Sequence, residues 1–111
     1  MRAEDDGTRV VVFLTEDDRH GHQGLPQVIL ERARDRGIAG GTLWRGIEGF
    51  GSSGIVRTSR FPDSTRGLPL VLEFVDSPEQ VESFLPELRE LAPRSLVTCE
   101  PVRMSRVVPD A

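Results

Sequence analysis

The 111-residue sequence predicts an α+β fold of ferredoxin-like type, a βαββαβ sandwich whose antiparallel sheet carries two helices on one face. Three observations lead there. Val10–Leu14 and Leu68–Val75 are nearly unbroken apolar runs, as expected of buried strands. Each run is followed by a segment with apolar residues at helical spacing, Leu25, Val28, Ile29 and Ala33 in one and Val81, Phe84, Leu85, Leu88 and Leu91 in the other. Each helical segment then gives way to residues suited to a strand. Two βαβ halves fit one domain of this length.

Residues 1–7 are polar and acidic and read as a disordered lead, with the domain spanning 8–107 and a tail at 108–111. The lead has no apolar signal-peptide core, so a cytoplasmic location is expected. The first strand is Thr8 to Thr15. Glu16–Gln23 follows as a polar loop, in which Asp17, Asp18, His20 and His22 are spaced too loosely for a metal site and read as solvated. A helix runs from Gly24 or Leu25 to Arg36, with Pro26 in its first turn and Gly37 as its left-handed terminator.

The second strand opens a glycine-rich stretch, Gly40 to Gly54. Thr42, Leu43, Trp44 and Ile47 suit a pleated surface, while Gly46, Gly49, Gly51 and Gly54 free the backbone for turns or close approach. Consecutive exposed N–H groups in such a loop can form an anion-binding nest. With residues 55–67 it makes a long excursion, of the kind that is functional or disordered in compact domains. Ile55, Val56 and Phe61 have the character of a strand within it. After the third strand, Ser77 is an N-cap, Pro78 suits the first helical position and Gln80 completes a capping box. Pro86 is expected to kink or split the second helix near Glu82. The last strand or strands occupy Ser95 to Val107, where Pro101 predicts an edge, bend or bulge.

A ferredoxin-like sheet has helices on one face, yet its two central runs are apolar on both. The second face is therefore expected to pack against other copies in a closed homo-oligomer. A net charge of −4 argues against a general nucleic-acid surface, and no apolar run approaches the roughly 20 residues of a membrane helix. All 14 basic residues are arginines, so every cationic side chain is a planar guanidinium fork. The single Cys99, in a strand-like context, reads as a buried and inert thiol suited to a reducing compartment.

The chain resembles the uncharacterised, domain-of-unknown-function family of small bacterial PII-like proteins from about Arg9 to Val107. The resemblance rests most specifically on Glu16-Asp17-Asp18-Arg19, Ala33-Arg34 through Gly40, Arg45 through Gly51, and Val75-Asp76 with Phe84-Leu85-Pro86. It implies a homotrimer with the three sheets lining the centre. It also implies adenine-nucleotide binding between subunits and signalling through a long loop after the second strand, here 49–67 with Gly49-Phe50-Gly51 at its base. Thr42 matches a residue that contacts adenine in that superfamily. The resemblance hints at a membrane channel or transporter as protein client. The chain departs from true PII proteins at Ser52 and Ser53, which replace an arginine and a glutamine. It also has Ala92-Pro93-Arg94-Ser95 where they carry a lysine-bearing phosphate loop.

The leading expectation is a non-enzymatic regulatory protein that needs no cofactor and binds an ATP-, ADP- or AMP-type ligand or a related anionic metabolite. Its site would use Thr42, Arg45, Gly49, Gly51, Ser52, Ser53 and Arg57, with Arg103 or Arg106 as further sources of charge. One alternative is a ligand-free homo-oligomeric interaction module, whose glycines serve subunit contacts. A lesser one is a small enzyme using His20 or His22, for which no nucleophile elbow or phosphate-binding lysine loop is present. RNA binding would need exposed aromatics and a basic face. Phe13 and Phe74 read more simply as core or oligomer contacts.

Overall fold

The structure, a computed structural model, describes residues 2–60 and 67–107. Its elements are β1 (Arg2–Thr15), β2 (Arg19–His20), β3 (Gln23–Gly24), α1 (Leu25–Asp35), β4 (Gly40–Arg45), β5 (Glu48–Gly49), β6 (Arg57–Thr58), β7 (Pro69–Asp76), α2 (Pro78–Leu91) and β8 (Leu96–Val107). Four strands form one antiparallel sheet in the order β4-β7-β1-β8. The two apolar runs thus become the central strands, and the predicted ferredoxin-like sandwich is the observed fold. Pro101 lies on an edge strand, paired in register with Thr8.

Alternation along the central strands decides which residues face the helices. Val10, Val12 and Leu14 of β1 and Leu70, Leu72 and Phe74 of β7 share one face and are buried. They pack with Val28, Ile29 and Ala33 of α1 and with Val81, Phe84, Leu88 and Leu91 of α2. Phe74 and Phe84 meet edge to face with centroids 5.5 Å apart. On the helices' outer side, Glu87 of α2 receives Arg32 at 2.6 Å and Arg36 at 2.7 Å. Those two guanidiniums hold the Glu87 carboxyl below its ordinary range.

The helix ends follow local rules. At the end of α1 the N–H groups of Gly37 and Ile38 donate to Arg34 and Ala33, a Schellman motif that uses the positive φ of Gly37. Ser77 caps α2 by accepting the N–H of Gln80 at 3.3 Å. The capping box is only half realised. The Gln80 amide donates instead to the Arg36 carbonyl, and the Ser77 N–H donates to Asp76 Oδ1 at 2.6 Å. Nor does Pro86 split α2, which runs unbroken from Pro78 to Leu91. Pro86 and Glu82 both lie on the exposed side, where a carbonyl without its helical partner is open to solvent.

The lead expected to be disordered is strand over Arg2–Gly7. Arg2–Gly7 continue β1 and pair with Val102–Val107 of β8. Because β7 pairs with β1 only over Thr8–Thr15, these residues form a two-stranded arm beyond the four-stranded sheet. The molecule is accordingly long, 54 × 28 × 23 Å, with a radius of gyration of 15.9 Å where about 13 Å is usual near this length. Cys99 is exposed rather than buried, because it lies on edge strand β8. The expected 108–111 tail lies outside the described residues.

The face away from the helices carries an apolar row across all four strands. Trp44, Val71, Phe13 and Leu96 stand side by side in register. Phe13 is 44%, Trp44 54% and Leu96 65% exposed in the single chain. The adjacent rows are more polar. Arg9 donates to Glu73 Oε1 at 2.8 Å and also to Glu100 across β1, lowering the Glu73 carboxyl's affinity for a proton. Among the described residues, no helix is long and apolar enough to cross a membrane.

Candidate functional site

The glycine-rich stretch folds as a ribbon with a glycine tip. Its root is fixed to the sheet, where the Gly46 N–H donates to the Pro69 carbonyl at 2.7 Å. A Cβ on Gly46 would stand 2.9 Å from Pro69 Cγ, so the close approach requires glycine. β5 and β6 then pair, Glu48 with Thr58 and Gly49 with Arg57. The strand expected around Ile55, Val56 and Phe61 is therefore centred on Arg57 and Thr58, with Ile55 and Val56 in the unpaired tip and Phe61 outside the described residues.

Three contacts tie the root. Ser59 N–H donates to the Ile47 carbonyl at 2.8 Å. The buried Thr58 hydroxyl bonds the Glu48 carboxylate, and Arg60 Nη2 reaches the same carboxylate at 2.6 Å. Together they lower the Glu48 pKa, the Thr58 bond contributing most. At the tip, Gly54 N–H closes a turn on the Gly51 carbonyl at 2.9 Å. The tip is apolar as well as glycine-rich, with Phe50 72%, Ile55 52% and Val56 58% exposed.

Between this tip and the ends of the sheet strands lies a cleft of about 430 Å³. One wall is Gly49, Gly51, Ser52, Ser53 and Arg57. The others come from the end of β1 with Asp17, the start of β7, and Arg94–Leu96 where the chain enters β8. The N–H groups of Gly51, Ser52 and Ser53 donate to no other described residue. Arg57 and Arg94 make no ion pair with a described residue. Among the described residues nothing stands within 4 Å of a Cβ built on Gly51, which faces open space. Two guanidinium forks and free backbone donors share this opening with the carboxylates of Asp17 and Asp18, so an anion would be held at the Arg57, Arg94 and glycine-tip side of the cleft.

Five of the seven predicted site residues line this cleft: Gly49, Gly51, Ser52, Ser53 and Arg57. Two do not. Arg45 pairs with Glu16, Nε to Oε1 at 2.6 Å, outside the cleft. Thr42 is exposed on edge strand β4, opposite Glu73 in register, and borders a different recess. Of the further arginines, Arg103 belongs to the arm at the far end of the sheet, and the Arg106 side chain is not described. Arg94 and Asp17 line the cleft although the sequence suggests neither as a ligand-site residue, Asp17 reading there as solvated. Their signal was topological: an antiparallel β1–β8 pair brings the entry of β8 beside the exit of β1. The loop at Glu16–Gln23 is a small β2–β3 hairpin. Asp18 anchors it by accepting Thr15 N–H at 2.9 Å, and His20 and His22 are exposed. Among the described residues, no group of three or more acidic, histidine or cysteine side chains is placed to hold a metal ion.

Comparison with known proteins places this geometry among relatives. Residues 7–104 match the domain-of-unknown-function family DUF190, described as Uncharacterized ACR. The chain is 31% identical over 93 residues to a UPF0166 protein of Aquifex aeolicus (strain VF5), spanning 84% of this chain and 88% of that protein. Its fold is similar to that of CPII, a nitrogen regulatory PII-like protein from Thiomonas intermedia K12 solved with ADP, AMP and bicarbonate. That similarity has a TM-score of 0.64 at 16% identity, over 94% of this chain and 92% of CPII. A protein described as PII-like from Thermus thermophilus is similar with a TM-score of 0.59 at 23% identity, over 94% and 92% of the two chains.

Proposed function

For a chain that belongs to the DUF190 family and has the PII-like ferredoxin fold, we propose a non-enzymatic regulatory role. The protein binds an adenine nucleotide or a related anionic metabolite in the cleft beneath the glycine tip and signals through the 49–67 loop. The observation that carries this reading is the convergence of Arg57, Arg94 and the free N–H groups of Gly51, Ser52 and Ser53 on one opening. The solved relative that holds ADP and AMP supports the choice of ligand class.

The site is shared between subunits in this reading. The apolar row Phe13, Trp44, Val71 and Leu96, together with the exposed apolar tip, supports a homotrimer whose sheets pack against one another. Assembly supplies a wall that one chain lacks, and it is how Thr42 of one subunit would approach the loop of another. The Glu48–Thr58–Arg60 knot keeps the loop's root fixed while the tip orders on the ligand, shifting affinity for a protein client such as a membrane channel or transporter. The protein works in the cytoplasm and needs no cofactor for this role.

Thermal unfolding with ATP, ADP, AMP, cyclic nucleotides and simple anions, with and without magnesium, tests the reading. A ligand at a hundred times its dissociation constant adds roughly 2.7 kcal/mol per site. The gain should vanish in Gly51→Val, whose Cβ would have no described atom within 4 Å and would stand on the cleft side of the tip, and in Arg57→Ala with Arg94→Ala. A well-folded oligomer that none of these compounds stabilises refutes the nucleotide reading and leaves the ligand-free interaction module in its place.

A further inference from the structure

The anion cleft carries charge of both signs. Arg57 and Arg94 bring two guanidiniums to it, and Asp17 and Asp18 bring two carboxylates. The two carboxylates differ in their engagement. Asp18 is half-buried and spends Oδ2 on the Thr15 N–H at 2.9 Å. Asp17 is exposed and tied through its backbone N–H, which donates to the Thr15 hydroxyl at 3.3 Å. Its carboxylate makes no ion pair with a described residue.

Gly67 shows how near this carboxylate lies to the cationic side. A Cβ there would stand 2.6 Å from Asp17 Oδ2 and 3.8 Å from Arg57 Nε. Two opposite charges thus flank one point of the cleft without closing an ion pair. An anion seated on Arg57 lies in the field of Asp17, inside the Debye length of about 10 Å at moderate salt. The four side chains sum to no net charge. Each charge added to a ligand therefore gains little from them, while it must still shed water. The neighbouring arginines of the stretch offer no relief, because Arg45 is spent on Glu16 and Arg60 on Glu48. Nor does the wall that a second subunit would bring. The recess bordered by Thr42 is lined by Asp5, Asp6, Glu73, Asp76 and Glu79, and by no basic side chain among the described residues.

Building on the reading that this cleft binds a nucleotide or related anion, we infer that Asp17 is a specificity-determining residue that confines the site to ligands of low charge, a nucleoside monophosphate ahead of the di- and triphosphate. The guanidinium forks and the N–H groups of Gly51, Ser52 and Ser53 hold one phosphate. Asp17 opposes a chain of them. A triphosphate enters well only with a divalent cation that offsets its charge.

Isothermal titration calorimetry of the full-length protein with AMP, ADP and ATP in EDTA tests this. AMP should bind roughly tenfold more tightly than ATP, with ADP between them, and magnesium should narrow the gap. Asp17→Asn keeps the side chain's size and breaks no ion pair with a described residue, so its melting temperature should match the parent's. It should strengthen ATP binding several-fold more than AMP binding. Glu90→Gln removes one negative charge from the exposed side of α2, outside the cleft, and should leave the order unchanged. ATP binding as tightly as AMP to the parent without magnesium overturns the charge selection and leaves the nucleotide reading standing. So does an Asp17→Asn variant whose three affinities move together or not at all. If none of the three binds the well-folded parent, the selection and the nucleotide reading are both refuted.

Discussion

Substituting Phe13 by glutamate tests whether the uncovered sheet face is an assembly surface. Phe13 is 44% exposed and stands in register between Val71 and Leu96, with Trp44 at the end of the same row. An aromatic side chain presents about 200 Å², so about 90 Å² of Phe13 remains to be covered, worth about 2 kcal/mol at 25 cal/mol per Å². In a trimer three such losses amount to about 6 kcal/mol, a shift of roughly 10⁴-fold in the assembly constant. A carboxylate forced into the contact adds a desolvation cost. The monomer should tolerate the change, because this face does not touch the helix-side core. Light scattering across a concentration series reads the mass, and far-ultraviolet circular dichroism reads the fold. Phe13→Glu should dissociate to folded monomer at concentrations where the parent is oligomeric. If the variant keeps the parent's mass at every concentration, the face is not the interface. If the parent is itself monomeric at high concentration, the face is not covered by copies of this chain.

Three further outcomes follow from the fold and the loop. Phe84→Ala should cost about 3–5 kcal/mol in urea unfolding, because its ring is wholly buried against Phe74 and beneath Arg36; a cost under about 1 kcal/mol would contradict that packing. Gly67→Ala should cost more than about 1 kcal/mol, since φ is +69° there and the new Cβ would stand 2.6 Å from Asp17 Oδ2. An unchanged midpoint would show that the cleft's edge is not built as described. Finally, Glu48, Glu73 and Glu87 are held below their ordinary value of 4.5 by hydrogen bonds from Thr58, Arg9 and Arg32 respectively, with arginine partners assisting. A depressed carboxylate contributes stability above its unfolded pKa and loses it as pH falls through the folded value. The melting temperature should therefore hold from neutrality down to about pH 5 and decline below 4.5. Glu73→Gln should flatten part of that decline, and a decline beginning near pH 6 would point to other groups.

Local chemistry made most of the protomer legible. Periodicity placed the central strands and both helices, because burial on a strand or a helix stripe leaves a repeating apolar mark. Glycine, proline and serine marked the helix ends, since capping and left-handed φ are properties of a few residues in a row. The glycine loop was visible for the same reason. What those marks did not carry was partnership between distant segments. The strand character of Arg2–Gly7 comes from backbone bonds to Val102–Val107 and owes little to side-chain pattern. α2 continues through Pro86, and Glu82 lies on its exposed side, a matter of how α2 lies on the sheet. Arg45 is spent on Glu16, and Arg94 enters the cleft because β8 starts where β1 ends. The residue types and turns of the site are local, and sequence holds them. Which arginines remain free for a ligand depends on pairings across the sheet, and long-range packing settles those.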